Sequence, residues 1–336
     1  MLVIVHGKGA FGAHYGYLMK YALERGLRVV VPDIPHYGLS GSSNLDQSNA
    51  RTLSQVRDVL HDVVVRQLGI KSAHYHGHSL GGQVILGYAL RYPAAVRSLI
   101  LEAPAGTEQA TRVTPGLSLS LHEKSVGADM ATWKSAWGAM LDQEMGKNPQ
   151  QIRDFFEWKG ASGYFKVNSE YARLHTDQRI AILDYPKERD QYITSFIYDV
   201  WAMTNENVKE DPNSLYKQLP KLRMPIFLQF GAQEPFIPIT MVSGLKSLAR
   251  DVIVPFKDMM TKAGNPPFIK IYPGAGHFIH TDLPYEYAKD TVDFVRKGKA
   301  ENVSNAAIIS MIEGAAVAKP AAAPTQTAAK PGGLSK

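Results

Sequence analysis

Ser79 sits at the centre of Gly77-His78-Ser79-Leu80-Gly81, with Gly82 directly after it. A serine hydroxyl is a weak nucleophile and reacts usefully only when held exposed beside a base. A sharp strand-to-helix turn does this, at the cost of a strained backbone at the serine. Side chains two residues to either side of that serine would collide, hence glycines at 77 and 81. The strand-like stretch Ala73–His78 before the turn, and a helical pattern that ends before Pro93, supply this setting. The helix N-terminus beneath also favours developing negative charge. A glycine-rich turn carrying a passive serine is the weaker reading of this context.

Activating the hydroxyl takes a histidine base and an acid, here expected in the chain order serine, acid, histidine. His277 lies in Pro273-Gly274-Ala275-Gly276-His277-Phe278, a loop just past a late strand. The preferred acid is Glu234, in Gly231-Ala232-Gln233-Glu234-Pro235-Phe236-Ile237-Pro238, which follows the strand Ile226–Phe230. Glu102, ending the strand Leu99–Leu101, is its competitor on the same sheet edge. His6-Gly7-Lys8-Gly9-Ala10 follows the first strand, and its glycines let backbone N–H groups approach a substrate. The expected oxyanion hole combines the N–H of Leu80 with that of Lys8 or Gly9. His74, His76 and His78 alternate along one strand, as a metal cluster would. They enter a turn whose strand must be packed, so no metal site is expected.

The elements that must place these residues read as an alternation. Leu2–Val5 and Leu27–Val31 are apolar runs of the kind covered on both sheet faces, with a helix around Tyr17–Glu24 between them. Residues 54–68 put Val56, Val59, Leu60, Val63 and Val64 on one helical face, closed by Gly69. Phe268–Tyr272 is the last strand and Tyr285–Arg296 a closing helix, while Asp251–Pro267 reads as an extra loop. Strands alternating with helices indicate a parallel α/β sheet. From about Gly106 to Leu222 strand runs stop, the pattern turns helical, and all four tryptophans fall there. The expected organisation is a core over 1–106, a helical insertion over 107–222, core again over 223–300, and over 301–336 a C-terminal helix with a disordered Ala-Pro-rich tail.

Composition narrows the classes. The 336 residues, 45% apolar and 20% charged, suffice for a buried core and exclude wholesale disorder. A net charge of +6 without a basic block gives no nucleic-acid footprint. The absence of cysteine excludes disulfides, thiolate zinc sites and a cysteine nucleophile. No apolar run reaches the roughly 20 residues of a membrane span, and no signal-like segment follows Met1. Localisation stays open: cytoplasmic as the chain stands, or exported by a signal lost with an N-terminal part.

His6-Gly7, Asp33-Ile34-Pro35-His36-Tyr37-Gly38-Leu39-Ser40, Gly77–Gly82, Gly231–Pro238 and Gly276-His277 together resemble, in order and context, the α/β-hydrolase superfamily, specifically its capped serine hydrolases. The likeness covers about residues 2–106 and 223–297. It implies the α/β-hydrolase fold, a mostly parallel sheet with helices on both faces and a helical cap insertion. It implies an entrance loop at Asp33–Ser40 and a nucleophile at Ser79. An aspartate at 79 would instead suit dehalogenase or epoxide hydrolase chemistry. Five features depart from the pattern: glutamate rather than aspartate at 234, His36 where glycine is usual, a long insertion, a long span from Glu234 to His277, and a start at the family's third strand. The last is expected to reflect truncation of a longer product.

The chemistry expected is that of a serine hydrolase working through an acyl-enzyme, on a carboxylic ester with an apolar or aromatic group. Open alternatives at the same site are carbon–carbon bond hydrolysis of ring-fission diketones, lactone hydrolysis and proline aminopeptidase activity. A non-catalytic or truncated protein of this fold is a further one. His78, Phe236 and Phe278, with Trp137 and Trp158 from the cap, are the candidate substrate contacts. A small-molecule substrate is implied, with no metal or organic cofactor, no nucleic acid and no membrane span; the oligomeric state is not legible.

Overall fold

The computed structural model describes residues 1–40, 52–109, 166, 170–183, 195, 199–238 and 244–317. Six parallel strands, β1 (Leu2–Val5), β2 (Val29–Val30), β3 (Ala73–His78), β4 (Val96–Glu102), β5 (Ile226–Gly231) and β6 (Phe268–Tyr272), form one sheet in the order β2-β1-β3-β4-β5-β6. The chain steps outward from β1 to β2 and then crosses back to β3 on the other side. The C-terminal ends of β1 and β3 therefore flank a topological switch point, where open α/β sheets form their crevice. Val5 pairs with Gly77, His78 with Glu102, and Gly231 with Tyr272, so the loops after five strands open along one edge.

The apolar strands are continuous because each sends alternate residues into two cores. Leu2, Ile4, Ile100 and Phe227 pack with Leu18, Tyr287 and Val292 of α1 (Gly16–Leu23) and a C-terminal helix on one face. Val3, Val5, Tyr75, Leu101 and Leu228 pack on the other face, with α2 (Leu53–His61) and α3 (Leu80–Arg91). Thr52 opens α2 with a reciprocal capping box to Gln55, and the helix runs on as a π-helical turn, Asp62–Gln67.

Within the expected insertion, the described parts include α4 (Glu170–Leu183) and the helical residues 199–206, here α5. Two acids tie α5 to the core. Glu206 takes the Arg57 guanidinium in a two-pronged pair, with Nη2 to Oε2 at 2.8 Å. Arg57 itself is buried and also donates to the carbonyls of Gln83 and Val84 at 2.9 Å each. Asp199 accepts from Tyr37 Oη at 2.5 Å.

The stretch Asp251–Pro267 is not a loop. It carries a π-helical turn (Leu248–Ile253) and then α6 (Val254–Lys262). Pro255 lies at the start of α6, directly after the π-helical turn, whose wider ladder has Val254 N–H reaching back to Ala249 O. The chain closes with α7 (Pro284–Lys297), ended by Gly298 at φ +64°, and α8 (Asn305–Val317), which buries Ile308 and Ile312. Residues 318–336, the body of the expected tail, lie outside the described residues.

Candidate active site

Ser79 stands between β3 and α3 with φ +52° and ψ −118°, a conformation costly for a residue with a Cβ. Its surroundings fix it there. Its N–H donates to Glu102 O at 3.0 Å, and its carbonyl accepts from Gly82 and Ala105 at 2.9 Å each. A Cβ on Gly77 would lie 2.4 Å from Gly81 O, and one on Gly81 would lie 2.2 Å from Val5 O, so the turn closes only with glycine at both positions. Leu80 is the first residue of α3, so its N–H has no intrahelical acceptor.

The loop after β1 lies directly against this turn. A Cβ on Gly7 would meet His78 Nδ1 at 2.8 Å and Ser79 Cβ at 3.1 Å. The buried His6 ring shapes the loop: Nδ1–H donates to Gly7 O and Nε2 accepts from Ile34 N, both at 2.8 Å. Gly9 follows at φ +68°. Lys8, half-buried, supplies positive charge near Asp199. In the Asp33–Ser40 loop, His36 holds φ +77°, so the imidazole adopts a backbone state that glycine would take at little cost.

The loops after β5 and β6 bring Glu234 and His277 together. Glu234 Oε2 accepts from His277 Nδ1 at 2.8 Å, with both side chains buried. The other oxygen, Oε1, accepts the N–H groups of Phe236 and Ile237 at 2.7 and 3.2 Å. A proton on Nδ1 leaves the His277 Nε2 lone pair as the basic position. His78, next to Ser79, brackets the same loop: its Nε2 donates to His277 O at 2.9 Å and the two ring centroids are 4.7 Å apart. Glu102 turns elsewhere, to His280 (N at 2.9 Å, Nδ1 at 2.8 Å) and His76 (Nε2 at 3.3 Å). The two competing acids thus take different histidines.

Of the expected substrate contacts, Phe236 packs edge-on to the His277 ring at 4.9 Å, and Phe278 stands at 5.2 Å. His78 is buried and spent on the His277 carbonyl. Trp137 and Trp158 lie outside the described residues. The three alternating histidines share a sheet face but have separate partners: Ser98 for His74, Tyr287 and Glu102 for His76, and the His277 carbonyl for His78.

Several site residues have no motif to announce them. Asp282 accepts from Gly276 N and from Lys166 N, each at 2.8 Å, linking the residue before His277 to Lys166. Burial, reinforced by the nearby Glu234 charge, pushes the Glu108 carboxyl up to about 7. Burial also raises Asp199 to about 7 against the pull of Tyr37 and Lys8. Burial drives His78 well below the usual imidazole range, so it stays neutral. Burial alone would raise Glu102, but its contacts with His280 above all outweigh it and hold the carboxyl well below the usual range.

The six-stranded parallel sheet flanked by helices agrees with the comparisons. A sequence profile of the alpha/beta hydrolase fold family matches residues 1–282, and the chain belongs to that family. It is 33% identical over 245 residues to a 2-hydroxy-6-oxononadienedioate/2-hydroxy-6-oxononatrienedioate hydrolase of Paraburkholderia phymatum, covering 71% of this chain and 72% of that protein. It is 23% identical to human monoacylglycerol lipase ABHD6 over 88% of this chain and 74% of the lipase. The chain spans about a third of the length of two further relatives, a 2-hydroxy-6-oxononadienedioate/2-hydroxy-6-oxononatrienedioate hydrolase of Comamonas testosteroni and a 2-hydroxy-6-oxo-6-phenylhexa-2,4-dienoate hydrolase of Burkholderia cepacia. Among solved structures, an esterase from Exiguobacterium antarcticum superposes with a TM-score of 0.60 at 17% identity, covering 88% of this chain and 91% of that one, a likeness of fold. The protein is a hydrolase of the α/β-hydrolase fold.

Proposed function

We propose that the protein is a serine hydrolase in which Ser79, His277 and Glu234 form the catalytic triad, acting on a carboxylic ester with an apolar or aromatic group. The observation that carries this is the 2.8 Å contact of His277 Nδ1 with Glu234 Oε2, on the edge where Ser79 is held at φ +52°. His277 Nε2 takes the hydroxyl proton as Ser79 Oγ attacks the substrate carbonyl. Glu234 holds the tautomer and stabilises the imidazolium. The N–H of Leu80 with that of Lys8 or Gly9 receives the oxyanion. Imidazolium then protonates the leaving alcohol. Water, deprotonated by His277, attacks the acyl carbon and releases the acid and free Ser79.

Hydrolysis of a short p-nitrophenyl ester tests this. Wild type turns over, and Ser79→Ala falls at least about 10³-fold; equal rates would refute the assignment. A second reading, hydrolysis of a carbon–carbon bond in a vinylogous diketone, draws on the 33% identity to the P. phymatum hydrolase. Turnover of such a diketone with negligible esterase activity would favour it over the first.

A further inference from the structure

We infer that Glu102 is a positioning residue, a brace that fixes the nucleophile turn and the histidine loop to each other; this rests on the Ser79–His277–Glu234 reading. One residue reaches both reacting segments. Its carbonyl accepts from Ser79 N at 3.0 Å. Its Oε1 accepts from both the backbone N and the Nδ1 of His280, at 2.9 and 2.8 Å, three residues beyond His277. His78, its register partner on β3, adds a parallel strut by donating from Nε2 to His277 O at 2.9 Å. The route from Ser79 to His277 is therefore closed twice, through the β4 carboxylate and through the β3 imidazole.

The burial argues that this carboxylate serves position. Glu102 is fully buried among His76, His78, His280, Gln229, Tyr272 and Tyr287, where an unpaired carboxylate would be very costly. Both His280 donors meet Oε1, His76 Nε2 stands 3.3 Å from Oε2, which has no hydrogen bond among the described residues, and Glu234 already holds His277 Nδ1. Glu102 is thus not the acid of the reacting histidine. It is the anchor of the turn that carries it.

The test compares Glu102→Ala and Glu102→Gln with wild type and Ser79→Ala in ester hydrolysis, with thermal melts alongside. Displacing His277 by about 1 Å from the Ser79 hydroxyl acts on the transition state, so Glu102→Ala is expected to lose about 10²-fold in kcat with KM little changed. Glu102→Gln keeps an oxygen for both His280 donors and is expected to recover most of that loss. In proton NMR, wild type gives downfield imidazole resonances from His277 and His280; Glu102→Ala loses the second and moves the first. If Glu102→Ala does not fold, His78→Phe reads the parallel strut, with kcat expected to fall at least about tenfold at constant KM. Wild-type kcat in the folded alanine variant, or in His78→Phe where alanine fails to fold, overturns the brace. A glutamine variant as impaired as alanine also overturns it, since charge rather than position would then be what matters. Equal turnover by wild type and Ser79→Ala overturns the parent reading, and the brace with it.

Discussion

Ser79, Gly77 and Gly81 form a unit in which local spacing dictates geometry. The missing side chains at 77 and 81 let the Gly81 and Val5 carbonyls approach within 2.4 and 2.2 Å of where a Cβ would stand. Gly81→Ala is therefore expected to cost about 3 kcal/mol or more, since backbone cannot yield as a side-chain tip would; urea unfolding measures it. Glu234→Gln keeps the volume but loses the charge beside His277, so kcat should fall about 10²–10⁴-fold with the fold intact. Ser79 and His277 could be proposed from the sequence because their motifs are local. The choice of acid was not legible by geometry: Glu102 ends β4 and Glu234 follows the adjacent β5, on the same edge. What separates them is which histidine each meets, and His280, the partner of Glu102, had drawn no attention in the sequence.

At the scale of elements, α5 is fastened to the core by two acids of different character. Arg57 is buried, so Glu206→Ala leaves a guanidinium without its counter-charge. A loss of about 2–3 kcal/mol is expected, and removing both charges with Arg57→Met/Glu206→Leu should recover part of it; chemical denaturation of the three proteins decides. Asp199 behaves differently, because its folded carboxyl keeps its proton up to about 7 while the unfolded carboxyl releases it near 3.8. Between those values the unfolded chain binds fewer protons, so this group's contribution to stability falls as pH rises through that window. Asp199→Asn should therefore gain on wild type by about 2 kcal/mol from pH 5 to pH 7.5, read as the difference in unfolding free energy; a constant difference would contradict it. Neither fastening was readable from the chain, since 149 residues separate Arg57 from Glu206. Helix α6 was not readable as a helix from its local pattern, since Pro255 follows directly on the π-helical turn Leu248–Ile253.

For the whole molecule, the parallel sheet was readable because strands such as β1 are apolar on both faces, and the two cores show why: alternate residues of β1 belong to different ones. The order β2-β1-β3 makes the crevice, placing the His6–Ala10 loop against Ser79 without any sequence proximity. The C-terminal helix completes one core, with Ile308 fully buried, so Ile308→Ala is expected to cost about 2–4 kcal/mol and lower the melting temperature. The central claim is that one hydroxyl, activated by one imidazole, forms the covalent intermediate. Peptide mapping after reaction with a serine-directed phosphonate tests it most directly. A single adduct on the Ser79 peptide, absent in Ser79→Ala and much slower to form in His277→Ala, is the predicted result. An adduct elsewhere, or equal labelling of the His277→Ala protein, would contradict it.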